Sequence, residues 1–79
     1  MFLEIITPDK KVFEGEESSV FVPGADGQFQ MLDNHAAIIS TLVNGKVKIK
    51  TKGGEETFDV HGGVVEMLKN KVVILAESA

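Results

Sequence analysis

In KVKIKTKGGEETFDVH, residues 46–61, Val47 and Ile49 alternate with Lys46, Lys48, Lys50 and Lys52, and after Gly53-Gly54 the residues Phe58 and Val60 alternate with Thr57 and Asp59. A period of two places one set of side chains on each face of an extended chain, the mark of a half-buried strand. A Gly-Gly loop accepts the positive φ angles of the primed hairpin turns. The expected register sets Ile49 opposite Phe58, Val47 opposite Val60, Lys48 opposite Asp59 and Lys52 opposite Glu55. Apolar then meets apolar, and lysine meets acid.

The same period continues on both sides. Downstream, Gly62-Gly63 interrupts the chain before a second hairpin, Val64–Leu68 and Val72–Ala76, turned around Lys69-Asn70 or Asn70-Lys71. This pair is apolar on both faces, so either its own chain covers both sides or another protein covers the outer one. Upstream, Phe29 and Met31 alternate with Gln28 and Gln30, and Ser19–Val22 forms a β-branched run that Pro23 is expected to close. Residues 2–7 and Val12-Phe13-Glu14 supply two further short strands, while Ala36–Leu42 reads as a short helical turn. Many short strands with Gly and Pro turns predict one all-β domain over residues 1–79, a small sandwich or barrel.

Composition narrows the function classes. Of 79 residues 43% are apolar and 25% charged, enough apolar residues for a packed core. Cysteine is absent, which removes disulfides, thiolate metal ligands and a thiol nucleophile, and fits a reducing compartment. The longest apolar run, Val72–Ala76, is far short of a membrane span, and MFLEIITPDKK has no basic region ahead of its apolar residues. A soluble, cytosolic chain is expected. The net charge of −4 comes with eight lysines and no arginine, the wrong electrostatic footprint for a nucleic-acid binder.

No catalytic or metal-binding pattern emerges. His35 and His61 lack the spacing of a zinc site. Asp33-Asn34-His35 reads as turn chemistry rather than as a general base. Glu16-Glu17 and Glu55-Glu56 are sequence neighbours whose side chains point to opposite faces of any strand, so neither is an acid/base couple. Pro23-Gly24-Ala25-Asp26-Gly27 is glycine-rich but lacks the Gly-Lys-Ser/Thr of a phosphate loop and reads as a tight turn. The lysines of residues 46–52 read as a solvated face paired to the acids opposite. Lys69 occupies a hairpin turn like the modified lysine of biotinyl and lipoyl carriers, but Leu68 and Asn70 mismatch both patterns. No cofactor, metal or small-molecule substrate is expected.

The segment PGADGQFQMLDNHAAIISTL, residues 23–42, closely resembles the N-terminal β-sandwich domain of the epsilon subunit of F-type ATP synthases, the delta subunit in mitochondria. LEIITPDKKVFEGE (residues 3–16) resembles that family's first two strands, and GGVVEMLKNKVVILAE (residues 62–77) its closing signature. Three ordered motifs spread end to end are more specific than any one of them. The resemblance implies a sandwich of two antiparallel, five-stranded sheets, about ten short strands, with no active site. It implies a central-stalk rotor subunit that docks on the gamma subunit and the c-ring and so couples ion-driven rotation to ATP synthesis, peripheral to the membrane at the cytoplasmic face of the bacterial plasma membrane. Carried over by position, Asp26, Gly27 and Gln28 would face the c-ring, and Thr7, His35 and Ser40 the gamma subunit.

Two departures stand out. His35-Ala36-Ala37 replaces the family's His-Ala-Pro, and Leu32-Asp33-Asn34 stands where many members carry Pro-Gly, which restores an amide donor and frees φ. The chain also stops at Ala79, where many bacterial members continue into a two-helix hairpin that restrains ATP hydrolysis. Neither inhibition nor nucleotide binding is therefore assigned to these residues.

Overall fold

β-branched and aromatic residues, punctuated by Gly, Pro and Asn, give nine strands in the computed structural model, which describes residues Met1–Ala79: β1 (Phe2–Ile6), β2 (Lys11–Glu16), β3 (Ser19–Gly24), β4 (Gly27–Leu32), β5 (Ile38–Leu42), β6 (Gly45–Thr51), β7 (Gly54–Val60), β8 (Gly63–Leu68) and β9 (Lys71–Ala76). They form one hydrogen-bonded path, β2-β1-β9-β8-β5-β3-β6-β7, with β4 on the free side of β3. All pairings are antiparallel except β1 with β9.

The path divides into two layers. Strands β2-β1-β9-β8-β5 make one, β4-β3-β6-β7 the other, and the seam between them is the single pair Gly24–Leu42. Amides on either side reinforce this corner: Ala25 N–H donates to the Thr41 carbonyl at 2.9 Å, and Val43 N–H to the Pro23 carbonyl at 2.9 Å. At the far end the layers meet again, where the rings of Phe13 on β2 and Phe58 on β7 lie 5.4 Å apart at 56°. The sheet thus curls onto itself around one core, to which Leu3, Ile5, Val20, Val22, Val47 and Ile74 contribute fully buried side chains from both layers.

Four local expectations are revised. The β6–β7 loop is Lys52-Gly53, not Gly53-Gly54, so Thr51 pairs with Gly54, Val47 with Phe58, Ile49 with Glu56 and Lys46 with Asp59. Moving the turn by one residue shifts the pairing by two, which keeps every side chain on its expected face. Positive φ in this turn falls on Gly54 (145°), and Thr51 Oγ1 accepts the Gly53 N–H at 3.0 Å. Second, β3 runs through Pro23, opposite Gln28. Pro23 sits where β4 asks for no amide, and its carbonyl bonds the loop residue Val43 instead. Third, Ile38–Leu42 is a strand, because pairing with β8 from Ile38–Met67 to Leu42–Gly63 outweighs a weak local preference for a turn of helix. Fourth, the second layer has four strands where the resemblance implied five, while the total of nine agrees with the expected small sandwich of about ten short strands.

Candidate docking surfaces

Strand parity builds the first surface. Val65, Met67, Val72 and Ile74 enter the core, so Val64, Leu68 and Leu75 emerge on the opposite side of the five-stranded layer, with Ile39 beside them. One cross-strand row runs Thr41, Val64, Leu75, Ile6, and the next runs Ile39, Glu66, Val73, Glu4. Ile39 is 71% exposed and Leu68 and Leu75 more than half. The second hairpin is therefore central in its layer, yet no other part of the chain covers its outer face. Charges border this band: Glu4 receives Lys11 at 3.1 Å and Lys71 at 3.2 Å, and hydrogen bonds from these two lysines hold its carboxyl below the usual range.

The second surface is the β3–β4 turn. Asp26, Gly27 and Gln28 are all exposed at its tip, Gly27 with φ 128°, and the corner bonds of Ala25 and Val43 brace the loop behind them. The structure brings these three residues together. It does not do so for Thr7, His35 and Ser40. Thr7 is buried in the β1–β2 turn, its Oγ1 donating to the Lys10 carbonyl at 3.3 Å, at the same end of the molecule as Gly24 and Gly63. His35 is exposed in the β4–β5 loop at the opposite end. Ser40 lies midway along β5, opposite Val65, on the side of Ile38 and Leu42.

Asp33-Asn34-His35 is turn chemistry, as expected: Asn34 has φ 64°, its N–H donates to Asn70 Oδ1 at 2.8 Å, and His35 N–H donates to the Leu32 carbonyl. The Asp33 carboxylate accepts the Met1 ammonium, whose pKa rises mainly through that bond. The lysine face is solvated and paired as the observed register dictates, Lys46 with Asp59 at 2.6 Å and Lys50 with Glu55 at 3.8 Å. His61 is an exposed strand-end residue whose N–H bonds the Ser78 carbonyl.

One residue escapes the sequence reading. Glu17, just before β3, is only 5% exposed, and its Oε2 has no hydrogen-bond partner. Burial pushes its carboxyl above the ordinary range, and Glu56 adds to the effect. The signal lay in parity: once Ile49 pairs with Glu56, that acid shares the inward face towards which Glu17 also points.

Residues 1–79 match the family described as ATP synthase, Delta/Epsilon chain, beta-sandwich domain. The chain is 41% identical over 76 residues to the ATP synthase epsilon chain of Chlorobium limicola, covering 95% of this chain and 86% of that one. It is 37% identical over 79 residues to the ATP synthase epsilon chain of Caulobacter vibrioides, covering 100% and 92%. Among solved structures, a chain of the Euglena gracilis mitochondrial ATP synthase, seen by cryo-EM with F1 and the c-ring, shares the fold at a TM-score of 0.89 and 18% identity. The match covers 96% of this chain and 49% of that one, so this chain spans about half the length of that structural neighbour.

Proposed function

The chain belongs to the ATP synthase delta/epsilon-chain β-sandwich family, and on that premise we propose that it is a non-catalytic central-stalk subunit that docks on the gamma subunit and the c-ring and carries rotation between them. The observation that carries the reading is the bare apolar band of Ile39, Val64, Leu68 and Leu75 on a stiff, closed sandwich. Such a band has the composition of the buried centre of a protein interface, and the Glu4 ion pairs beside it resemble a polar rim. The band is the proposed gamma side; of the residues that the resemblance assigns to gamma, Thr7 is buried, Ser40 lies on the opposite face of β5 from Ile39, and His35 lies in the β4–β5 loop, so none belongs to the band itself. The exposed turn Asp26-Gly27-Gln28 is the proposed approach to the polar loops of the c-ring.

The role asked of the chain is mechanical. Its layers are joined by a corner at one side and an aromatic contact at the other, so torque applied at the turn reaches the apolar band through packed side chains rather than through a hinge. The proposed location is the membrane-bound ATP synthase, at the cytoplasmic face of the bacterial plasma membrane. Calorimetry with the cognate gamma subunit tests the reading. One-to-one association that weakens at least about tenfold in Ile39→Asp or Leu75→Asp is expected, given how apolar interface centres respond to a charge. Equal affinity in folded variants would move the gamma side elsewhere, and no association would leave only the fold in common with the family.

A further inference from the structure

At the pole of the sandwich remote from Asp26, β2 and the β6–β7 turn enclose an open cleft of about 410 Å³. Phe13 and Ile49 supply its apolar walls, Glu17 lies deep in it, and Glu55 and Glu56 stand at its exposed rim. Glu17 is more than nine-tenths buried, and no side chain or amide reaches its Oε2. A buried carboxylate oxygen without a donor is costly, and native proteins leave few of them. The charges around it are unfavourable: Glu56 and Glu16 oppose ionisation, and only the Met1 ammonium, already engaged by Asp33 and Glu16, favours it.

We propose that this cleft is a guanidinium site, which takes one arginine side chain of a partner protein with Glu17 as its principal acceptor. Three observations select that chemistry. The site offers a carboxylate beside an aromatic ring, and a guanidinium can bond the first in bidentate fashion while its weakly hydrated plane lies on the second. No group of three or more His, Cys, Asp or Glu side chains is arranged to hold a metal ion, so a bare cation lacks its ligand set. The chain itself contains no arginine, and none of its lysines pairs with Glu17: Lys11 and Lys71 go to Glu4, Lys46 to Asp59, and Lys50 reaches only Glu55 at the rim. A guanidinium therefore has to come from another chain. The site stands apart from the gamma-side band and from the Asp26 turn, so it does not depend on either assignment.

Nuclear magnetic resonance on the isotope-labelled chain tests it, with N-acetyl-arginine amide as the probe and N-acetyl-lysine amide and magnesium chloride as competitors. Saturable shifts confined to the amides of Glu17, Gly53, Gly54 and Glu56 and to the Phe13 ring are expected with arginine, half-complete at about millimolar concentration for a single ion-paired group. Lysine should bind at least about threefold more weakly, since it offers neither the fork nor the plane. Glu17→Gln, its fold checked by amide dispersion, should weaken arginine at least about fivefold, and Glu56→Gln at the exposed rim about twofold. Any one of four results overturns the proposal: no saturation with arginine, equal binding of lysine, the same shifts produced by magnesium, or unchanged binding in Glu17→Gln.

Discussion

Two adjacent glycines do different work. Gly63 has φ 131°, and a Cβ there would lie 2.2 Å from the Leu75 carbonyl oxygen, a collision with backbone. Gly62 has φ 71°, but its Cβ would meet only the flexible Glu77 side chain, at 3.1 Å. Gly63→Ala is thus expected to cost about 3 kcal/mol and Gly62→Ala about 1, as read from denaturation midpoints. Glu17 sets a second prediction at this scale. Its folded pKa lies above the ordinary 4.5, first through burial and then through Glu56. The stability that goes with the neutral carboxyl is present below 4.5 and is lost as pH rises through the folded value. Glu17→Gln does not ionise, so its stability relative to the parent chain should rise as pH rises through the folded value of Glu17. Glu4 works in the opposite direction, because its lysines lower its pKa and its contribution is lost as pH falls. A difference between Glu17→Gln and parent that is constant from acid to neutral pH would contradict the buried carboxyl.

The β8–β9 hairpin turns on Lys69 at φ 50° and Asn70 at φ 62°, a pair of left-handed residues matched to the twist of the strands. Asn70 suits the position and also ties the turn to the rest of the fold, through Oδ1 to Asn34 N–H and through its carbonyl to Phe2 N–H. Lys69 has no such tie and carries the steric cost of a left-handed side chain. Lys69→Asn should therefore stabilise the domain by about 0.5 kcal/mol, shifting the urea midpoint without changing the m-value. Element existence was largely legible in the sequence, since β-branched alternation and Gly, Asn or Pro punctuation are local properties. Element register was not. Residues 51–55 hold several neighbouring places for a two-residue turn, and the position taken depends on Thr51, on Gly54 and on β3 lying against the other side of β6. The reading of Ala36–Leu42 failed for a related reason: four consecutive apolar residues show no period, and only β8 makes the second half a strand.

For the whole molecule, the proposed docking sides occupy separate regions, which allows them to be tested one at a time. Replacing Asp26 and Gln28 by bulky charged residues should lower proton- or sodium-driven ATP synthesis by the assembled enzyme while amide dispersion and gamma binding stay unchanged. Unchanged synthesis would remove the c-ring assignment alone. Among residues carried over from the family resemblance, the Asp26 turn is legible because three adjacent residues at one exposed tip stay together in any fold. Thr7, His35 and Ser40 are scattered between both ends of the sandwich and its middle, so they do not form one patch. The sequence already shows the β8–β9 pair as apolar on both faces, but not that Val64, Leu68 and Leu75 stay bare or that Ile39 joins them, because that depends on what the folded chain leaves uncovered.

Local and additive properties follow from the amino-acid order alone: an all-β domain with its inward faces, the family to which its motifs belong, a chain without thiols, and eight lysines without an arginine. Tertiary structure decided what depends on contacts between distant residues. It chose the β6–β7 register, turned Ile38–Leu42 into a strand, left one side of the β8–β9 pair bare and brought Glu17 to Glu56. The physical reason is the same in each case. Parity follows from the geometry of one strand, whereas exposure and electrostatic environment follow from which strand lies alongside and which layer lies opposite, and those are fixed only when the sheet closes on itself.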